Sequence, residues 1–196
     1  MKSIMISIRS EWCEKIARGE KTIEVRKTKP KLQTPFKCYI YCTRNYPVLW
    51  KDGEKIYQGD SRFEWLHFTP DMLNGKVIGE FVCDAIVIDR TFGHDPMLYT
   101  AACMTPADIS AYCVNPEMYG WHISELKIYD KPKDISEFIT PSEVGCCNEG
   151  NCRGCEYFDR GNGFNIEDDC TADFDTDCFK PLQRAPQSWC YVEPHR

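Results

Sequence analysis

The chain has 196 residues, of which 42% are hydrophobic and 13% aromatic, and it carries a formal net charge of -6. That is apolar material for one core with an elaboration, and it excludes a disordered chain. No apolar run approaches a membrane span and the basic, polar N-terminus is unlike a signal peptide, so a cytoplasmic chain with no membrane contact is expected, in which thirteen cysteines point to thiols or metal rather than a disulfide scaffold.

Residues 4–8 alternate Ile4, Ile6 and Ile8 with Met5 and Ser7, the period of a half-buried strand. Ser10 is the expected N-cap of a helix with Cys13, Ile16 and Ala17 on its inner face and Gly19 as its stop. From Thr22 the chain alternates again. Ile23 and Val25 face one way, and Thr22, Glu24 and Arg26 the other. Lys21 is formally on the opposite face, but at the start of a strand twist or a bulge can re-aim it. The ordinary reading of such a face is an exposed row of cross-strand ion pairs.

Gly19, Lys21, Glu24 and Arg26 fit the pattern Gly-x-Lys-x-x-Glu-x-Arg, which resembles the signature of the ASCH domain family. That family belongs to the PUA-like β-barrel group, whose members are associated with RNA. Trp12 and Lys15, in the strand and helix before the motif, also resemble the family, and the likeness extends over residues 1 to about 130 and a closing strand near the C-terminus. The resemblance implies an α+β fold: a PUA-like mixed, mostly antiparallel β-barrel with flanking helices. Short strands separated by turns agree with it.

Residues 27–35 form a basic connection holding Lys27, Lys29 and Lys31, restricted by Pro30 and Pro35. Residues 36–43 read as a strand with Tyr39, Tyr41 and Thr43 on one face. Residues 44–60 are a long polar-aromatic connection with Tyr46, Trp50 and Tyr57. Residues 76–88 are the longest β-rich run, and Gly79-Glu80 within it suggests a bulge or a close approach. Thr105, Pro106 and Asp108 mark a helix start, with the helix ending near Cys113. Residues 119–129 return as a strand bearing His122, which reads as a structural histidine. One helical turn is expected over 134–138, and residues 188–192 look like a returning strand.

Charge is unevenly spread. Residues 1–50 hold eleven Lys or Arg against four Glu, a net of +7, and residues 134–180 hold twelve Asp or Glu against three Lys or Arg, a net of -9. A local basic end can guide a phosphate even on an acidic protein, although the two ends also attract each other.

The expected organisation is a barrel over residues 1–140, a cysteine-rich insertion over 141–184, and a closing strand in 185–196. The insertion is poor in aliphatic residues and needs another way to hold together. Cys152-x-x-Cys155 is a metal-ligand knuckle, and with Cys170 and Cys178 it supplies four sulfurs for one structural zinc. Cys146 or Cys147 is the substitute for either distal ligand, and disulfides are the main alternative.

Three functions are compatible with this pattern. The first is a binding module that holds RNA or a nucleotide through Thr22, Arg26, Trp12 and Tyr39, with Glu24 accepting from an exocyclic amine. The second is a hydrolase, with Lys21 and Glu24 as catalytic groups. The resemblance implies amidohydrolase action on acetylcytidine or ribonuclease action, but the amidohydrolases carry a threonine where this chain has Glu24. The third is a protein-interaction adaptor using the acidic, cysteine-rich insertion.

Overall fold

A computed structural model describes residues 3–45, 72–90, 96–112, 117–139 and 182–194. The strands are β1 (Ser3–Ile8), β2 (Ile23–Arg26), β3 (Phe36–Cys42), β4 (Val77–Cys83), β5 (Ile86–Asp89), β6 (Met118–His122), β7 (Ser124–Lys133), β8 (Phe138–Ile139) and β9 (Trp189–Pro194). The helices are α1 (Ser10–Ala17), α2 (Pro96–Ala102) and α3 (Pro106–Tyr112). One sheet runs β7-β4-β3-β1-β9-β8, and a second runs β2-β6-β5. Among the described residues, only β1 and β3 pair in parallel, and every other pairing is antiparallel. This is the α+β, mixed and mostly antiparallel fold expected from the sequence, strand-rich and curled into a half-barrel with few helices.

The two sheets are joined at two corners. The run expected over 76–88 breaks at Asp84-Ala85, where the chain leaves the larger sheet as β4 and enters the smaller as β5. The run expected over 119–129 breaks at Ile123, where it passes back from β6 to β7. The corners lie side by side. The His122 backbone N–H donates to the Ala85 carbonyl at 2.9 Å, Ser124 Oγ donates to the Val82 carbonyl at 2.9 Å, and His122 Nδ1 lies 2.6 Å from Asp84 Oδ1. His122 is thus spent on bracing a corner. Gly79 does mark a close approach, because a Cβ there would lie 2.5 Å from the Lys127 carbonyl oxygen. The β4–β7 register shifts on both sides of Gly79-Glu80, which places the expected bulge.

Three sequence expectations need correction, the smallest being Ala17, which is exposed while Cys13 and Ile16 are buried. β1 is buried along its whole length rather than on alternate residues. Ile4, Ile6 and Ile8 enter the main core, and Met5 enters a second core with Tyr39, Phe138 and Val192 on the opposite face. A central strand covered on both faces has no solvent side. Ser10 is the first residue of α1 and not its cap. Arg9 is the N-cap, with extended backbone and no side-chain cap bond, while Ser10 Oγ lies 3.4 Å from the Asn45 carbonyl. The C-terminus of α1 follows expectation. Gly19, at φ +73°, lets its own N–H reach Ile16 and that of Glu20 reach Lys15, the paired bonds of a left-handed helix stop. α3 starts as expected, with Thr105 and Asp108 exchanging capping bonds. Residues 135–137 form a 3-10 turn capped by Asp134.

Trp121, fully buried on β6, ties the sheets together. It meets Phe36 of β3 edge-on at 5.7 Å and Trp189 of β9 at 5.9 Å. On the other side of the small sheet, Ile23 and Val25 of β2 pack against Leu98, Tyr99 and Ala102 of α2. This second contact decides the site, because burying Ile23 and Val25 there turns Glu24 and Arg26 the other way.

Candidate functional site

β2 presents Glu24 and Arg26 to a cleft of about 750 Å³ whose lining includes Ser7, Trp12, Lys21, Thr43, Tyr112 and Ser188. Lys21 lies just ahead of β2, where the chain crosses the end of α2. There the Thr22 N–H donates to the Ala101 carbonyl at 2.9 Å, and Lys21 Nζ donates to the Ala102 carbonyl at 2.7 Å. A cation at these last helix carbonyls satisfies an acceptor without an intrahelical partner and meets the negative end of the peptide dipoles.

Glu24 sits between two cations. Lys21 Nζ is 3.4 Å from Glu24 Oε2, and Arg26 Nη2 is 3.0 Å from Glu24 Oε1. Arg26 Nη2 also donates to the Ser7 carbonyl of β1 at 2.7 Å, fastening the small sheet to the large one. All three side chains are buried, with Lys21 2% exposed and Glu24 and Arg26 each 6%. Two cations and one carboxylate leave the cleft floor one positive charge in excess. Burial pulls the Lys21 ammonium below its ordinary pKa, against the opposing pull of the Glu24 carboxylate. Among the described residues, Arg26 Nε is a buried donor with no hydrogen-bond partner.

Trp12, on α1, is half-buried at the cleft wall, with Lys21 Nζ 5.1 Å and Lys15 Nζ 5.2 Å from its ring centroid. Tyr112, from the last turn of α3, lines the cleft as well. Asp108 also lines the cleft, but its carboxylate is engaged by Thr105, which holds it below the usual carboxylate range.

The structure therefore brings Lys21, Glu24, Arg26 and Trp12 together. Two other sequence candidates lie elsewhere. Thr22 is exposed and does not line the cleft, because the true strand starts at Ile23 and Thr22 belongs to the connection. Tyr39 is buried in the second core against Phe138, with ring centroids 4.8 Å apart, and is not among the cleft residues. Sequence reasoning missed Ser7, Tyr112 and Ser188. Tyr112 fell within an expected helix, but nothing in the pattern said which of its faces would meet β2. Among the described residues, no three His, Cys, Asp or Glu side chains converge as a metal site. Cys152, Cys155, Cys170 and Cys178 lie outside the described residues, as do Cys146 and Cys147. Among the described residues, no helix is long and apolar enough to cross a membrane.

Fold and cleft together define a small, strand-rich protein with a cleft at the junction of its two sheets. The buried floor of the cleft carries one excess positive charge, while the lining as a whole balances Arg9, Lys21 and Arg26 against Glu11, Glu24 and Asp108. No protein-family model matches the chain, and no curated protein matches it in sequence. Among solved structures, it is similar to the ASCH protein of Zymomonas mobilis, at 17% identity over 97% of this chain and 87% of that one, with a TM-score of 0.46. It is also similar to a single-residue variant of that protein, at 16% identity over 69% of this chain and 77% of the other, again with a TM-score of 0.46. Similarity at this level assigns no role to any residue.

Proposed function

We propose that the cleft binds a nucleotide or an RNA base. The observation that carries this reading is the buried Lys21–Glu24–Arg26 group at the floor of a cleft walled by Trp12 and Tyr112. A net-cationic floor suits an oxygen-rich, anionic ligand, and aromatic walls suit a flat base. The motif likeness to the ASCH family points the same way. Titration calorimetry with nucleoside monophosphates and short RNAs tests it. Arg26→Ala is expected to weaken binding by about 1–3 kcal/mol if its contact is charge-assisted. Unchanged affinity in a variant that still unfolds cooperatively sinks the reading.

A second reading, hydrolysis of a modified nucleoside or of RNA, is favoured by one observation. The Lys21 ammonium has its pKa lowered by burial and touches a buried carboxylate, a pairing suited to proton transfer. Turnover of acetylcytidine or RNA, abolished by Lys21→Met, separates it from binding alone. Structural zinc on Cys152, Cys155, Cys170 and Cys178 stays a proposal from their spacing, and neither reading routes a step through it.

A further inference from the structure

We propose that the ligand is a single-stranded nucleic acid longer than one nucleotide, whose backbone leaves the cleft along the 27–31 loop. This rests on the nucleotide reading of the cleft and extends it to a neighbouring surface. Arg26 at the cleft floor is paired across the small sheet with Tyr119 of β6. Beyond that pair lies Lys29, with Nζ 5.8 Å from the Tyr119 ring centroid. Tyr112 at the cleft wall likewise carries Lys27, with Nζ 4.9 Å from its ring centroid. The Tyr112–Lys27 pair therefore borders the cleft, and the Tyr119–Lys29 pair, which does not line it, stands next to Arg26 across the small sheet. Each offers a cation for a phosphate beside a ring on which a base can stack.

The loop is also held in place. Trp189 Nε1 donates to Thr28 Oγ1 at 3.0 Å, and the Lys31 backbone N–H donates to the Tyr191 hydroxyl at 3.0 Å. Both partners come from β9, and Pro30 between them is buried. Lys27, Lys29 and Lys31 are exposed, and among the described residues none of them forms an ion pair. Glu117 is the nearby opposing charge. It accepts from the Tyr119 hydroxyl and is offset by Arg90 at 3.1 Å. Three lysines at alternate positions on an anchored loop, two of them over rings, fit a flexible chain of phosphates and bases better than a rigid duplex or a folded acidic partner.

The test is fluorescence anisotropy of the full chain with end-labelled RNA of one, three, six and nine nucleotides, across 50–300 mM salt. Affinity is expected to rise at least tenfold from one to six nucleotides. Lys27→Ala with Lys29→Ala is expected to remove most of that gain and to flatten the log–log salt slope by about 1.4, at about 0.7 per phosphate contact on a single strand. Both lysines are exposed, so this variant keeps the fold. Mononucleotide binding with no gain on lengthening overturns the strand proposal and leaves the cleft reading standing. Length-dependent binding that survives the double substitution removes the loop from the interface and also overturns the proposal. So does polyglutamate of matched charge binding as tightly as the nine-nucleotide strand, which marks a general anion surface. Oligonucleotide binding that responds to the loop lysines but not to Arg26→Ala sinks the cleft reading, and with it the path from cleft to loop.

Discussion

Glu24→Gln is the most informative single change. It keeps the shape of the side chain and removes the only carboxylate between Lys21 and Arg26. Both cations are at least nine-tenths buried, so solvent does little to screen their repulsion. The amide oxygen can still accept from one of them, but two positive charges then share a buried floor with no contacting carboxylate among the described residues. Breaking a buried ion pair by removing one partner costs about 3–5 kcal/mol. A chain of this size loses about 2–4 °C of melting temperature per kcal/mol, so the midpoint should fall by about 6–20 °C. Thermal melts at neutral pH, supported by urea titration, read this directly. Lys21→Met added to Glu24→Gln should recover part of the loss, because it removes one of the stranded cations. A loss below about 1 kcal/mol, the scale of an exposed pair, would refute the argument that this group is desolvated.

The other expected outcomes are narrower. Burial sets the folded pKa of Lys21 below the ordinary 10.5, so between those two values the unfolded chain holds more protons, and the contribution of Lys21 to stability rises with pH across that window. Buried thiols act in the opposite sense, with Cys83 pushed up to about 12, so the quantity to measure is the stability of wild type minus Lys21→Met at each pH, and a difference that does not move refutes the assignment. Gly79→Ala puts a Cβ 2.5 Å from the Lys127 carbonyl oxygen and should destabilise by about 1–3 kcal/mol through a forced shift of the β4–β7 ladder; a neutral result means that the ladder yields freely. Metal analysis of reduced protein should find one zinc, and less than about half an equivalent argues against the Cys152, Cys155, Cys170 and Cys178 set.

Local chemistry was the legible part of the fold. The stop at Gly19, the start at Thr105 and Pro106 and the turn at Asp134 each depend on a few neighbouring residues, and each formed as read. Strand positions were legible too, but their burial was not. Ser7 looked like the solvent side of β1, yet Pro186, far away in sequence, supplies the acceptor for its hydroxyl at 2.6 Å. The corners at Asp84-Ala85 and Ile123 escaped for the same reason. Each depends on the other's hydrogen bonds, and neither stretch alone shows a break.

The site separates along the same line. Glu24 and Arg26 could be read together because a strand's period of two is a strictly local rule. Tyr39 was misplaced because that rule gives a face and does not name what covers it; here Phe138 does. Tyr112 was missed because α3 meets the cleft only through tertiary packing. The motif itself carries two duties. Lys21 Nζ and Arg26 Nη2 are already committed to Ala102, Ser7 and Glu24, bonds that pin α2 and β1 to β2. Substituting them therefore perturbs the fold along with any ligand. Trp12 and Tyr112, half-buried on the walls, meet that network and the cores through their rings, Trp12 with Lys21 Nζ 5.1 Å from its centroid and Tyr112 against the cluster of Ile23, Val25 and α2. Truncating either ring should therefore cost some stability. The reading that assigns the cleft to binding as well as bracing is thus a ligand affinity that falls on Trp12→Ala or Tyr112→Ala in variants still fully folded at the assay temperature, and that returns on Trp12→Phe or Tyr112→Phe.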